Sequence, residues 1–273
     1  MVWVGGIVLV VVAFLSVIQR SLIYHPLHLD TAACADLADA AGFEVWTNAD
    51  GEAIGYRSLP GPGDQRAPLA MLLAHGNAGC ALQRAEYAPA LRAAAPDRAV
   101  SVYLLEYPGY GARPGSPSQQ ALLAAAENGL AAIPADVPVI IVGESLGSGV
   151  AAATARSHPE RVAGLLLLTP FDSLVNVAAH HYPVLPVRWL LRDRYPSAQW
   201  LDGYRGPVAI IVAGRDTIVP ARFGRQLHDG YQGPKLLITA ENADHNDLLH
   251  LLPESAWAQA LSFLIDGTDP QGR

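Results

Sequence analysis

The sequence predicts an α/β protein: a mostly parallel, doubly wound sheet with a short helical cap insertion, preceded by one N-terminal transmembrane helix. Three observations carry this expectation. Apolar runs without polar alternation recur along the chain, the pattern of strands covered on both faces, and alanine- and leucine-rich stretches of helical length separate most of them. One interval, residues 171–206, holds two such runs much further apart than a single helix requires. Residues 1–18 contain no charged side chain.

The first segment, "MVWVGGIVLVVVAFLSVI", runs into Gln19-Arg20. A membrane-spanning helix needs ~17–25 such residues. A cleaved signal has an apolar region of ~7–15 residues, a basic start and a small-residue cleavage site. Only the terminal amine is basic here, and no A-x-A site follows, so the segment reads as an uncleaved anchor over 1–20. A cleaved signal is the alternative. A core helix fits poorly, because every helical face would be apolar. Arg20 is the only basic residue nearby, so charge does not fix the orientation or the side of the membrane.

Residues 21–41 read as a juxtamembrane linker with a short helix near 32–41. The main domain is expected over 42–266, with a tail at 267–273. It opens with "FEVWTNADGEAIGYRSLPG", a hairpin turning on Asp50-Gly51. Strands follow at 69–74, 99–105, 137–142, 162–168, 208–212 and 235–239. Helices are expected at 81–95, 118–133, 145–157, 221–229 and 247–265. Strand–helix alternation of this kind folds as parallel β-α-β units. The 171–206 interval contains Pro183, Pro186 and Pro196 among aromatics, and long insertions at a sheet rim commonly act as caps.

Bulk properties narrow the function. A chain of 273 residues with 51 % hydrophobic content suits one large domain. The net charge is −7 and there is no basic run, so nucleic acid is excluded as a partner class, since phosphate binding needs clustered Lys and Arg. Lys235 stands alone against seventeen arginines, which with the abundant alanine and glycine reads as composition bias. Cys34 and Cys80 are far apart and form no metal-binding pair. Free thiols are the expectation, with one bridge in an oxidising compartment as the alternative.

The chemistry centres on "IIVGESLGSGVA" (140–151). A buried strand stops at one serine between two glycines, and a helix follows. A serine hydroxyl is a weak nucleophile until a base takes its proton. In a G-x-S-x-G elbow, small neighbours relieve crowding around a strained nucleophile. Ser145 is therefore either a nucleophile or a plain helix cap. An acid and then a base should follow in the chain. Asp216 stands just past the 208–212 strand in "AGRDTIVP", and His245 follows the last strand in "TAENADHND". All three lie at carboxyl edges of parallel strands, where open α/β sheets bind ligands. Leu146 N–H is the expected first oxyanion donor. Asn77 N–H, in the loop "HGNAG" after an earlier strand, is the candidate for the second.

These motifs resemble the α/β-hydrolase superfamily over roughly 42–266. The residues carrying the resemblance are "HGNAG" (75–79), "EYPGYGARPGSPS" (106–118), "GESLGSG" (143–149), "TPFDSL" (169–174), "GRDTIVP" (214–220) and "DHND" (244–247), with the anchor ending in "RSLIYHP". More narrowly, the chain looks like membrane-anchored α/β-hydrolase-domain proteins, a group with serine aminopeptidase-like and depalmitoylase-like members and bacterial relatives. The resemblance implies a catalytic Ser145, Asp216 and His245, no cofactor and no metal. Two positions depart from those relatives: Asp244 replaces a glycine, and Glu144 stands where an arginine is common.

Other conspicuous residues read as structural. His75 precedes the nucleophile and sits at a strand end. Asp172 occupies an alternative acid position but reads as the N-cap of a cap helix. His180 and His181 are adjacent, so a helix points them ~100° apart and they do not share an ion simply. The tyrosines of "YPGYGARPG" either line the site or pack beneath it. Three functions compete: a carboxylester or thioester hydrolase acting on a small-molecule or lipid-like acyl substrate, a serine aminopeptidase on the same fold, and a non-catalytic membrane-tethered binding module.

Overall fold

The computed structural model describes residues 18–267. The expected anchor at 1–20 lies outside them except for 18–20, which are helical together with residues 21–23. Among the described residues no helix is long and apolar enough to cross a membrane.

Among the described residues ten strands follow in order: β1 (His25–Pro26), β2 (Glu44–Thr47), β3 (Ala53–Ser58), β4 (Ala67–Ala74), β5 (Ala78–Gly79), β6 (Arg98–Leu105), β7 (Val139–Glu144), β8 (Val162–Leu168), β9 (Val208–Ala213) and β10 (Lys235–Ala240). Eight form one sheet in the order β10-β9-β8-β7-β4-β6-β3-β2, and β1 pairs with β5 beside it. All pairings in the large sheet are parallel except those of β3 with β2 and β6. The helices are α1 (Thr31–Ala40), α2 (Tyr87–Ala93), α3 (Gln119–Ala131), α4 (Leu146–Ser157), α5 (Leu174–His181), α6 (Val187–Leu190), α7 (Ser197–Leu201), α8 (Arg222–Gly230), α9 (Leu248–Leu251) and α10 (Glu254–Asp266).

The apolar runs lack alternation because each strand feeds two cores. Ile141, Leu165, Leu167 and Ile210 face one cluster. Their neighbours Ile140, Val142, Leu166 and Ile211 face the other. Successive side chains on a strand point to opposite faces, so a sheet covered on both sides needs apolar residues at every position. From β4 the chain runs to β6 on one side, then crosses back to β7 on the other. The connections leaving β4 and β7 therefore diverge, and the crevice between their carboxyl ends is the topological switch point where such sheets bind ligands.

Three expectations need correction. The helix expected at 81–95 is a 3₁₀ turn (Ala81–Arg84) followed by α2. Pro89 explains the break: it lacks an N–H and is tolerated only in a helix's first turn, where it lies here. The last helical stretch splits at Pro253 into α9 and α10 for a similar reason. The supposed linker 21–41 is instead packed onto the domain. Tyr24 is buried, β1 pairs with β5, and Cys34 and Ala38 of α1 join the second core. Cys34 and Cys80 are both free and buried.

The cap insertion folds as α5, α6 and α7, interrupted at its prolines. Its edge is tied to the N-terminal strap. Tyr24 Oη donates to Asp193 Oδ2 at 2.9 Å, Arg20 Nε donates to the same oxygen at 3.1 Å, and Arg192 N donates to Gln19 Oε1 at 2.7 Å.

Candidate active site

Ser145 sits between β7 and α4 with φ 50° and ψ −114°, a conformation that side-chain-bearing residues rarely adopt. The flanking glycines make it attainable. A Cβ on Gly147 would run into the Ala74 carbonyl oxygen, and one on Gly143 would lie 2.7 Å from the Gly147 carbonyl oxygen. Ser145 N donates to Leu168 O on β8 at 2.9 Å, and its own carbonyl accepts Ser148 Oγ at 2.6 Å. The turn is thus fixed from both sides, and it delivers the side chain to the switch-point crevice.

His245, in the loop after β10, lies with Nε2 3.0 Å from Ser145 Oγ and Nδ1 2.6 Å from Asp216 Oδ2. A neutral imidazole with its proton on Nδ1 satisfies both contacts: it donates to the carboxylate and accepts from the hydroxyl. The other Asp216 oxygen, Oδ1, accepts the main-chain N–H groups of Ile218 (2.9 Å) and Val219 (2.7 Å). The carboxylate is therefore anchored by its own loop, independently of the histidine. Asp244, the departure from glycine, holds the histidine loop: its Oδ1 accepts His245 N at 2.7 Å and its own N–H donates to Asp247 Oδ1 at 2.6 Å.

Ser145, Asn77 and Leu146 border one cavity of about 390 Å³, within the ~300–1,000 Å³ range of small-molecule sites. Leu146 is the first residue of α4, so its N–H has no intrahelical partner. Among the described residues the Asn77 N–H also has none. The rest of Asn77 is held firmly. Its carbonyl accepts from His25 N (2.9 Å) and Tyr110 Oη (2.7 Å), and its side-chain Nδ2 donates to Ile23 O at 2.7 Å. Tyr107 Oη donates to the neighbouring His75 carbonyl at 3.0 Å. Both tyrosines are buried, and burial pushes their hydroxyls above the ordinary value, so they stay protonated donors. They brace the loop from beneath rather than line the cavity. His75 is likewise buried, with Nδ1 donating to Gly76 O at 2.8 Å and its ring on Tyr107.

Sequence reasoning did not find Glu144's partner. Arg84 grips it with two bonds, Nε to Oε2 at 2.7 Å and Nη2 to Oε1 at 2.8 Å. Burial raises the Glu144 carboxyl, but the Arg84 pair outweighs it and holds the group below the ordinary carboxylate value. With His245 and Asn246, the pair lines a second, polar recess of about 210 Å³. A carboxylate at the end of an apolar strand, beside Ser145, was itself the signal that a cation had to be near.

Asp172 is not brought to His245. Its Oδ2 accepts from Asn176 Nδ2, and Ser173, not Asp172, caps α5 by accepting Asn176 N at 3.2 Å. His181 Nε2 contacts Ile218 O at 2.8 Å on the cavity wall. No group of three potential metal ligands exists among the described residues.

Comparison with known proteins identifies the fold. The family model described as alpha/beta hydrolase fold matches residues 70–230. An uncharacterised protein of Mycobacterium tuberculosis is 38 % identical over 242 residues, covering 87 % of this chain and 84 % of that one. The lysophosphatidylserine lipase ABHD12 of Danio rerio is 29 % identical over 178 residues, covering 58 % of this chain and 46 % of that one. Among solved structures, Est1E from Butyrivibrio proteoclasticus, with ferulic acid bound, superposes with a TM-score of 0.64 at 18 % identity, covering 82 % of this chain and all of that one. With an elbow serine at the switch point of an eight-stranded sheet and a family match across most of that sheet, the chain belongs to the α/β-hydrolase fold family.

Proposed function

We propose that the chain is a serine hydrolase of carboxylic esters or thioesters, working through Ser145, His245 and Asp216. The observation that carries this reading is the unbroken line of contacts from Asp216 through His245 to Ser145, at 2.6 and 3.0 Å, ending at the floor of an apolar cavity. His245 Nε2 takes the Ser145 proton as Oγ attacks the acyl carbon. Asp216 keeps the imidazole in the productive tautomer and stabilises the imidazolium. The amides of Asn77 and Leu146 receive the developing oxyanion. His245 then protonates the leaving group, and water, activated the same way, releases the acyl group from Ser145.

The cavity favours acyl over peptide substrates. Phe171, Leu174, Val177, Leu185 and Leu190 contribute to its wall, and no acidic side chain among the described residues does. No carboxylate among the described lining residues would pair with a free amino terminus, whereas each buried methylene of an acyl chain gains roughly 0.8 kcal/mol. Medium-length acyl groups are therefore the proposed substrates. Residues 1–20, chargeless to residue 18, are the proposed single-pass anchor, and the intact chain should stay in the membrane pellet through a carbonate wash.

The test is a fluorophosphonate probe followed by p-nitrophenyl esters of two to sixteen carbons. The native chain should label and Ser145→Ala should not, with turnover falling by on the order of 10⁴-fold or more. The kcat/KM should rise with acyl length before it levels. Near-native turnover in Ser145→Ala would remove the nucleophile assignment, and a steady fall from acetyl onward would remove the acyl groove.

A further inference from the structure

The cap carries apolar side chains that the cavity does not use. Val184 and Trp189 are 90 % and 88 % exposed, although their neighbours Leu185 and Leu190 line the cavity. The cap edge thus presents apolar groups inward and outward from adjacent positions. Leu22, Tyr182 and Ile218, all about half exposed, also line the cavity, so they form its rim. Scattered exposed apolar residues are ordinary, but a group gathered around one opening marks an interaction surface.

Two further observations name the occupant. Gln19, Leu22 and Ile23, which directly follow the chargeless stretch 1–18 in the sequence, border the same cavity. The same edge is basic: Arg188, Arg192 and Arg194 are exposed, while Asp193 between them is buried and paired with Arg20 and Tyr24. This basic fringe lies on a protein of net charge −7. Exposed aromatic and aliphatic groups ringed by arginines suit an anionic lipid surface.

We propose that the rim formed by Leu22, Tyr182, Val184 and Trp189, with its arginines, is a bilayer-contact face seated on an anionic leaflet, so that acyl substrates pass from the membrane into the cavity without crossing water. The inference rests on the tethered acyl-hydrolase reading and adds an orientation to it. Tethering alone would leave the domain free to tumble above the membrane. A seated rim fixes the cavity mouth against the lipid.

The test uses the full-length chain reconstituted into vesicles of phosphatidylcholine with or without phosphatidylglycerol. An environment-sensitive fluorophore is placed at Val184→Cys, or at Asp136→Cys in the loop before β7, on the opposite edge of the sheet. Cys34 and Cys80 are buried and stay unlabelled in the folded protein. The expected result is a blue-shifted, brighter emission at position 184 on phosphatidylglycerol vesicles, and none at 136. The Val184→Asp, Trp189→Asp variant should lose most of its kcat/KM on a vesicle-borne acyl ester and keep it on a soluble short ester, since neither residue lines the cavity. Vesicle flotation of the chain without a shift at 184 would overturn the contact face while leaving the tether. A shift that grows with protein concentration in the absence of vesicles would overturn it in favour of a second copy. Fluorophosphonate labelling, which needs no membrane, reports separately on the catalytic reading.

Discussion

Strands β8 and β9 lie side by side, run to the same edge and each lead to an aspartate, yet the two carboxylates are built differently. Asp216 has one oxygen fixed by two main-chain N–H groups and the other aimed at His245. Asp172 spends its hydrogen bond on Asn176, one turn into the cap, and its other oxygen is buried without a partner among the described residues. Glu144 ends the next strand, β7, and adds a third case, a carboxylate neutralised by Arg84. Placement at a strand's carboxyl end brings an acid near the chemistry. What its two oxygens already hold decides whether it can serve a histidine.

The comparison breaks most easily at the proposed triad. Asp216→Asn should lower kcat by ~10⁴-fold, because an amide in that place favours the wrong imidazole tautomer. Asp172→Asn should leave kcat within a few-fold of the native value. Parallel kcat measurements on one soluble ester decide it, and reversed magnitudes would move the acid to β8.

Arg84→Met sharpens the third case through stability. It should cost about 2 kcal/mol at neutral pH, below the full range for breaking a buried pair because water still reaches Glu144. The sign with pH follows from the lowered Glu144 value. In the native chain this carboxylate contributes stability above its ordinary value near 4.5, and the contribution fades as pH falls through the lower folded value. Without Arg84, burial, the largest influence on this group, is left opposed only by His75 and His245, so the group should be raised and its charge should oppose folding at pH 7. The Tm gap between native and variant should therefore narrow as pH falls from 7 to 4. A gap that widens on acidification would mean the pair does not stabilise the charged carboxylate.

The smallest effect separates Asp172 from its neighbour. Ser173→Ala should cost about 1 kcal/mol as a lost helix cap, measured by urea unfolding, with kcat nearly unchanged. An equal cost from Asp172→Asn and none from Ser173→Ala would return the cap to Asp172.

Much of this was legible in the sequence, for physical reasons. Strands such as 140–142 announce themselves because both cores claim their side chains in turn. The proposed triad rests on β7, β9 and β10 each placing a polar residue beyond an apolar run. Other features had no local signal. Arg84 and Glu144 are 60 residues apart, and Tyr24 and Asp193 are 169 apart; no periodicity encodes such pairs. The 21–41 segment read as linker because its partners, β5 and the cap, lie far along the chain. The cap on α5 was misassigned by one residue, since Asp172 and Ser173 are both good caps and only the backbone chooses.

That strap gives the molecule a defined mechanical order. A load applied at residue 18, the first one described, meets the side-chain bonds of Gln19 with Arg192, of Arg20 and Tyr24 with Asp193, of Tyr24 with Tyr195 and of Asn77 with Ile23, together with the two-residue pairing of β1 with β5. These yield before an eight-stranded sheet does. The first casualty of tension would then be the placement of the Asn77 amide, so turnover under stretching should drop at forces well below those that unravel the domain. The strap that would bear the load is thus bonded directly to the Asn77 loop at the cavity.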